Sequence, residues 1–261
     1  MIYFGITLRS KAASNDWLKV QKTFNRTLQS VYKQTSDSFK VIVACHDMPV
    51  LLNKYDERVE FLTAEVPIPT NTHEMMLDKG WKLSMIARKV RELGGGYVMI
   101  VDADDLISNR IAEYVEKHPY ENGFLSKYGF IYAEGSRYAK RICNPYRICG
   151  SCSIVNYRPE DLPEEMPYDL WDDSLKDNWI IRKSHRIIPE CLEREGRKLA
   201  KLPFPSTVYI RYTGDNHSMS GGNDLGIKRK AELFFRKRIP VNELEEEFNL
   251  KPLDNYEIMC D

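Results

Sequence analysis

The sequence predicts an α/β fold with a mostly parallel central sheet, because short apolar runs alternate with helix-like segments from residue 1 to residue 101. The strand-sized runs are Ile2–Leu8, Lys40–Cys45, Val59–Leu62 and Tyr97–Val101. Strands that are joined through helices pair in parallel, and the ligands of such sheets bind beyond the carboxyl ends of the strands. The carboxyl ends of these runs are therefore the first places to search for a site.

Two helices are predicted between these strands. Asn15 or Asp16 can cap the first, and Asn71 opens the second, with Glu74 as its capping-box partner. The apolar positions of the first helix recur at helical spacing: Trp17, Val20, Phe24, Leu28 and Val31. The second helix is expected to bury one stripe of side chains, formed by Met76, Gly80, Leu83, Ala87 and Val90. Three lysines are expected to lie off this stripe: Lys79, Lys82 and Lys89. The three glycines from 94 to 96 are expected to end that helix.

Composition restricts the class of protein. The chain has 261 residues with 43% hydrophobic and 29% charged side chains, which is typical of a folded protein. Lys and Arg together equal Asp and Glu, 38 each, and this balance disfavours nucleic acid as a partner because such binders carry a positive excess. The apolar start reads as a first strand and not as a signal peptide, and no run is long enough to span a membrane. We therefore expect a cytoplasmic protein with reduced thiols.

An acidic segment follows the fourth predicted strand. Asp102, Asp104 and Asp105 come directly after an apolar run, and Asp102 and Asp104 face the same side if the chain stays extended. Neighbouring carboxylates repel one another, and a divalent cation such as Mg²⁺ or Mn²⁺ removes that repulsion while also binding phosphate oxygens. The alternative interpretation is that Asp104 and Asp105 cap a helix that begins near Ser108.

This segment and the helix before it resemble glycosyltransferases of the GT-A fold, particularly glycosyltransferase family 2. The corresponding features are Ala87-Arg88-Lys89, which departs from the usual pattern at Lys89, the glycines at 94–96, the strand Tyr97–Val101, and an Asp-x-Asp motif at Asp102–Asp105. The resemblance implies a GT-A domain over residues 1–225, with the nucleotide-sugar half at 1–115 and the acceptor half at 116–225. A helical tail is expected at 226–261.

The resemblance also implies roles for single residues in binding the donor. Thr7 and Arg9 would lie near the base and ribose. Asp47 would accept a hydrogen bond from the base, and Arg88 would lie beside the base or the phosphates. Asp102 would contact the nucleoside. Asp104 and Asp105 would hold Mn²⁺ or Mg²⁺ against the diphosphate.

The second half of the chain is expected to supply the acceptor site and the catalytic base. The resemblance places the base in an acidic stretch here, and Asp173, Asp172 and Asp177 are the candidates, in that order of preference. His217 lies in an Asn-His-Ser sequence that resembles rhamnosyltransferase-like proteins, and it is the third predicted metal ligand. The alternatives are a solvated acidic helix start for the aspartates and a turn histidine for His217.

These observations predict a metal-dependent, inverting glycosyltransferase of the hexosyltransferase type. Its donor would be a UDP-, GDP- or dTDP-linked sugar, and its acceptor a hydroxyl of a polysaccharide, a lipid-linked sugar or a modified base. A nucleotidyltransferase and a non-catalytic nucleotide-sugar-binding protein are the alternatives from other classes. Residues 228–238 form a basic segment with aromatic side chains, which fits either a peripheral contact with the inner membrane face or a helix packed on the core.

Overall fold

The computed structural model describes residues 1–166, 179–211 and 237–258 of the chain. The strands in these ranges are β1 (Ile2–Thr7), β2 (Phe39–Cys45), β3 (Val59–Thr63), β4 (Gly96–Asp102), β5 (Leu106–Ile107), β6 (Gly123–Ala133), β7 (Tyr138–Cys143), β8 (Ser153–Tyr157), β9 (Ala200–Arg211) and β10 (Arg238–Pro240). The α-helices are α1 (Trp17–Tyr32), α2 (Thr72–Glu92), α3 (Ile111–Lys117), α4 (Ile188–Arg194) and α5 (Asn242–Phe248). Single 3₁₀ turns occur at Pro145–Arg147, Pro159–Asp161, Ile180–Arg182 and Leu253–Asn255.

One sheet organises the molecule, in the order β10-β7-β6-β8-β4-β1-β2-β3, with β9 pairing β6 and β5. The strands of the first half, β3, β2, β1 and β4, are all parallel. Strand β8 then pairs antiparallel with β4 and with β6, and β6 pairs parallel with β9. The predicted α/β fold with a Rossmann-like sheet and flanking helices is confirmed. Parallel pairing is continuous over β3, β2, β1 and β4, and β6 with β9 is a further parallel pair among the antiparallel strands of the second half.

Helices cover both faces of the sheet, because side chains alternate along each strand. The buried residues Ile2, Phe4 and Ile6 of β1 pack with α1 and α3, whereas Tyr3 packs with α2 and α4. At Gly5 a Cβ would come within 2.8 Å of the Ile86 side chain of α2. A glycine at that position therefore lets α2 lie close against β1, which brings the amino-terminal half of α2 near the carboxyl end of the sheet.

The starts of both predicted helices are confirmed. Asp16 caps α1 by accepting the backbone N–H of Lys19 at 2.9 Å, and Asn71 caps α2 by accepting the N–H of Glu74 at 3.0 Å. In a capping box the Glu74 carboxylate would accept a hydrogen bond from the N–H of the N-cap residue, Asn71. It accepts hydrogen bonds instead from the backbone N–H and the hydroxyl of Thr70, one residue earlier.

The predicted stripe of α2 is wrong in two positions. Met76 is more than half exposed, and Leu77 takes the buried position beside it. Lys82 is only 1% exposed, although a place off the stripe was expected. Both errors have one cause: the amino-terminal part of α2 borders a polar cavity, so the apolar pattern of the helix does not mark its buried side there.

The boundary predicted between residues 225 and 226 lies outside the described residues. In the described part of the tail, β10 pairs with β7, and Leu244 and Phe248 of α5 pack on Phe130 and Val208 of the sheet. These carboxyl-terminal residues therefore pack on the sheet formed by the second half of the chain. In the part of the chain that the structure describes, no helix has both the length and the hydropathy that crossing a membrane requires.

Candidate functional site

A cavity of about 290 Å³ opens at the carboxyl end of the parallel strands. Its floor includes Thr7 to Arg9, which follow β1, and Asp102 to Asp104, which follow β4. The chain runs from β1 to β2 and β3 on one side and returns to β4 on the other, so the cavity lies at the switch point of the sheet, where α/β proteins bind ligands. The other lining residues are Lys19, Val20, Thr23, Pro69, Met75, Asp78, Lys79, Lys82, Ile148, Gly150, His185 and Tyr209.

The predicted acidic motif divides between this cavity and the core. Asp102 and Asp104 line the cavity, although β4 ends at Asp102 and the chain turns at residues 103 and 104 instead of staying extended as expected. Asp105 is fully buried, and its carboxylate accepts from Ser151 Oγ at 2.8 Å, from Cys149 Sγ at 3.1 Å and from the Ile210 N–H at 3.3 Å. Burial and the neighbouring Cys149 raise the pKa of Asp105 well above its usual range. The placement disfavours Asp105 as a metal ligand and gives it a structural role instead.

The segment after the Pro145–Arg147 turn supports the acidic motif from behind. Ser151 Oγ accepts the backbone N–H of Asp102 at 2.9 Å, which links Asp102 to the Asp105 network. A Cβ on Gly150 would come within 2.6 Å of Asp102 Oδ2, so only glycine leaves room for that carboxylate. The sequence around Gly150 thus fixes where the Asp102 carboxylate can lie.

Lys79 of α2 forms an ion pair with Asp102 in the cavity. The distance from Lys79 Nζ to Asp102 Oδ1 is 2.6 Å, and the two side chains are 47% and 27% exposed. Burial opposes ionisation of Asp102, but the Lys79 ammonium overcomes it and holds the pKa of Asp102 below its usual range. In turn, Asp102 raises the pKa of Lys79, so both groups are charged at neutral pH.

A second ion pair lies one turn further along α2 and is almost completely buried. Lys82 Nζ donates to Asp78 Oδ2 at 2.7 Å and to the Leu8 carbonyl at 2.8 Å, which ties α2 to the end of β1. Asp78 Oδ1 is 3.7 Å from His46 Nδ1, and neither atom has a hydrogen-bond partner among the described residues. This pair and His46 form a polar layer beneath the cavity.

The walls carry an excess of cationic side chains. Arg9 follows β1, Lys19 lies in the first turn of α1, and Lys79 and Lys82 come from α2. The carboxylates of Asp78, Asp102 and Asp104 line the same cavity. Lys82 forms an ion pair with Asp78, and Lys79 forms one with Asp102. A cavity of this mixed charge suits an anionic ligand that is held together with a cation.

Two predicted donor contacts do not reach the cavity. Arg88 is exposed on α2 and pairs with Glu92 at 3.1 Å, and it is not among the lining residues. Asp47 accepts the Lys11 backbone N–H at 2.7 Å, which fixes the loop after β1, and it too lies outside the lining. Thr7 and Arg9 do line the cavity as predicted.

Four other predicted residues cannot be placed. Asp172, Asp173, Asp177 and His217 lie outside the described residues. Within 1–166, 179–211 and 237–258, no group of three or more His, Cys, Asp or Glu side chains could hold a metal ion without help from a ligand. The two cavity carboxylates still fit Mg²⁺ or Mn²⁺, which typically bind one or two carboxylates together with substrate phosphate oxygens.

Sequence reasoning missed His185 and the roles of the α2 side chains. His185 lines the cavity, and its Nε2 is buried without a hydrogen-bond partner among the residues described. Burial lowers the pKa of His185, partly offset by the charge of Asp102, so the neutral form is favoured. No sequence pattern surrounds His185, whereas the spacing of Asp78 and Lys82, four residues apart on a helix, was a readable signal of an ion pair.

Comparisons with known proteins give one kind of match. No protein-family model and no curated protein matches the chain. Solved structures of S. aureus TarS do: TarS 1–349 in complex with UDP has a TM-score of 0.43 and 15% identity, covering 80% of this chain and 60% of that one. TarS 1–349 in complex with UDP-GlcNAc has a TM-score of 0.43 and 12% identity, covering 83% and 62%. The chain thus spans about three fifths of TarS 1–349, and the function proposed below rests on its own cavity.

Proposed function

We propose that the protein is a glycosyltransferase that binds a nucleoside diphosphate sugar in the cavity between the ends of β1 and β4. The observation that carries this proposal is the pair Asp102 and Asp104, which line a cavity at the switch point of the sheet beside Arg9 and Lys79. A cavity that joins carboxylates to cationic side chains suits a diphosphate and its counter-cation. UDP-, GDP- and dTDP-linked sugars are the donor candidates.

The donor is proposed to lie along the floor of the cavity. The nucleoside occupies the side formed by Thr7, Leu8 and Arg9, and the diphosphate lies between Lys79 and Asp104. The sugar then extends towards Gly150 and His185, which complete the lining beyond Asp102. Arg88 and Asp47 have no part in this arrangement, since both lie away from the cavity.

The proposed cofactor is Mn²⁺ or Mg²⁺, which Asp104 and Asp102 would hold together with diphosphate oxygens. When bound, such a cation neutralises the negative charge that develops on the departing diphosphate. Lys79 and Arg9 add positive charge on the same side of the cavity. Gly150 and Ser151 keep the Asp102 carboxylate in its place.

The acceptor and the base remain predictions from the sequence. An inverting transferase needs a carboxylate that takes the proton of the acceptor hydroxyl, and Asp173, Asp172 and Asp177 are the candidates. The acceptor class is a carbohydrate or another hydroxyl, including lipid-linked sugars if residues 228–238 contact a membrane. The cytoplasmic location is likewise a prediction.

Thermal unfolding against a panel of UDP, GDP and dTDP, each with and without Mn²⁺, tests the proposal. A ligand that binds only the folded state adds about 2.7 kcal/mol to the free energy of unfolding at about 100 times its dissociation constant. For a chain of this size that is a rise in Tm of about 5 °C. We expect the rise with one of these nucleotides, only when Mn²⁺ is present, and its loss in Asp104→Asn.

Donor turnover separates the proposal from its alternatives. Transfer of the sugar to an added acceptor, with release of the nucleoside diphosphate, supports a glycosyltransferase. Release of pyrophosphate from a nucleoside triphosphate in the presence of a sugar 1-phosphate supports a nucleotidyltransferase. Binding without turnover under any acceptor supports a nucleotide-sugar-binding protein. If no nucleotide shifts the melting curve with any metal, the proposed function is wrong.

A further inference from the structure

The ion pair between Lys79 and Asp102 has a consequence for the order in which ligands bind. Lys79 Nζ lies 2.6 Å from Asp102 Oδ1, and the Gly150 backbone N–H donates a hydrogen bond to the same carboxylate. The carboxylate that would help Asp104 to hold a divalent cation is therefore already neutralised by an ammonium. Two cations cannot share one carboxylate oxygen without strong repulsion. Divalent cation and Lys79 compete for Asp102.

Of the two α2 lysines that line the cavity, Lys79 is the one that is able to leave its partner. Its side chain is 47% exposed and lines the cavity, and no other side chain accepts from its Nζ among the described residues. Lys82, by contrast, is 1% exposed and is fixed by Asp78 and by the Leu8 carbonyl. A diphosphate in the cavity would offer Lys79 a second anionic partner, close to the first.

We propose that Lys79 is a diphosphate-binding residue that holds Asp102 until the nucleotide arrives, so that the divalent cation binds well only in the presence of the nucleotide. This inference rests on the proposed function. In the free protein Lys79 pairs with Asp102. With the diphosphate bound, Lys79 turns to the phosphate oxygens and Asp102 becomes available, with Asp104, to the cation. Nucleotide and cation therefore strengthen each other's binding, because such coupling is reciprocal.

The test measures the coupling directly. Mn²⁺ binding is followed by the electron paramagnetic resonance signal of free Mn²⁺, with and without the nucleoside diphosphate that shifts the wild-type melting curve. Nucleotide binding is followed by calorimetry, with and without Mn²⁺. The variants are Lys79→Met, Lys79→Arg and Lys89→Met. Lys89 is the matched control, because it also lies on α2 and forms a 2.6 Å ion pair, with Glu60, away from the cavity lining.

We expect wild-type protein to bind Mn²⁺ at least about fivefold more tightly when the nucleotide is present, which is the lower range of typical coupling between sites. Lys79→Met should bind Mn²⁺ alone more tightly than wild type, bind the nucleotide about tenfold more weakly, and lose most of the coupling. Lys79→Arg should keep most of the nucleotide affinity, since the positive charge remains. Lys89→Met should behave as wild type in every arm.

Two results would overturn different parts of this account. If wild type binds a nucleoside diphosphate with Mn²⁺ and Lys79→Met binds both ligands equally well, Lys79 is a surface ion pair only. If wild type binds no nucleoside diphosphate, the proposed function fails, and the role of Lys79 fails with it. Melting curves of all variants without ligand show that each is folded.

Discussion

Two ion pairs of the same composition lie at successive positions along α2, and they differ in burial. Lys79 and Asp102 are 2.6 Å apart with side chains 47% and 27% exposed, whereas Lys82 and Asp78 are 2.7 Å apart with side chains 1% and 7% exposed. The outer pair borders the cavity and is accessible to a ligand. The inner pair also binds the Leu8 carbonyl and joins α2 to β1. The two pairs have the same chemistry and differ in burial, so the outer pair is the one that solvent and ligands can reach more easily.

The electrostatics of the two lysines follow from the same difference. Attraction to Asp102 raises the pKa of Lys79 and outweighs the opposing effect of burial. Burial lowers the pKa of Lys82, and the neighbouring Asp78 only partly offsets that effect. The inner pair is therefore held together at a desolvation cost, and it depends on both partners being present.

The largest predicted effect concerns the inner pair. Lys82→Met leaves the Asp78 carboxylate buried without its cation, which we expect to lower the free energy of unfolding by about 3–5 kcal/mol. Lys79→Met should lower it by less than about 1 kcal/mol, because the outer pair is exposed. Denaturant unfolding of both variants measures the difference. Equal losses would show that burial does not separate the two pairs.

A double variant sharpens that comparison. Lys82→Met combined with Asp78→Leu removes both buried charges, and we expect it to recover most of the stability lost in Lys82→Met alone. If the double variant is as unstable as the single one, the hydrogen bond to the Leu8 carbonyl, and not the unpaired charge, explains the loss.

The next effect concerns the support of the outer pair. In Gly150→Ala the new Cβ would lie 2.6 Å from Asp102 Oδ2, so the carboxylate must move. We expect a loss of about 1–3 kcal/mol in stability from overpacking, together with loss of Mn²⁺-dependent nucleotide binding in calorimetry. Gly135→Ala is the control, since its φ of +80° disfavours alanine but no atom lies within 4 Å of the new Cβ. That variant should lose stability and keep its nucleotide affinity.

A smaller effect is expected from pH through the layer beneath the cavity. Burial and the Lys82 charge lower the pKa of His46, against the attraction of Asp78 and Asp47. The unfolded chain therefore binds a proton that folded His46 does not, so stability is complete above about pH 6.5 and falls as pH drops from there towards the lowered pKa. Unfolding at several pH values should show that stability falls as the pH is lowered from 6.5 towards 5.5.

The variant His46→Gln tests whether this pH dependence comes from His46. Glutamine keeps a donor for the Val66 carbonyl, which His46 Nε2 contacts at 3.2 Å. The stability of the variant should depend less on pH in the same window. An unchanged slope would assign the pH dependence to another group, such as His185, whose pKa is also lowered by burial.

The smallest effect is predicted for Arg88. Arg88→Ala removes an exposed pair with Glu92, so the free energy of unfolding should change by less than about 0.5 kcal/mol and nucleotide affinity should not change. Calorimetry on the same nucleotide checks this. A tenfold loss of affinity would restore the role that the family resemblance gave to Arg88.

The fold could be predicted from the sequence where local patterns and the final packing agree. Strands β1 to β4 are apolar runs, and Asp16 and Asn71 cap the helices that follow. The pattern failed on α2, where Lys82 is buried by an ion pair with Asp78, one helical turn away, and by the Leu8 carbonyl, which comes from a distant part of the chain. A lysine at such a position looks solvent-facing until the partners that bury it are known.

The site could be predicted in part for similar reasons. Asp102 and Asp104 come at the end of a buried strand and both line the cavity, but a turn at residues 103 and 104, and not the predicted extended chain, places them there. The family resemblance assigned Asp105 to the metal together with Asp104, but Asp105 is buried in the core, where Ser151 and Cys149 donate hydrogen bonds to its carboxylate. His185 joins the cavity through tertiary packing alone, and no local pattern records that.

The most direct test of the proposed site is selective broadening of backbone amide signals by Mn²⁺ in ¹⁵N-labelled protein. The nucleoside diphosphate used is the one that raises the Tm most. With that nucleotide present, we predict that a small amount of Mn²⁺ broadens the signals of Thr7, Ala103 and Gly150 first, and that Asp104→Asn removes the effect. Broadening that spares these residues, or that is centred on another part of the chain, would contradict the assignment of the cavity between β1 and β4.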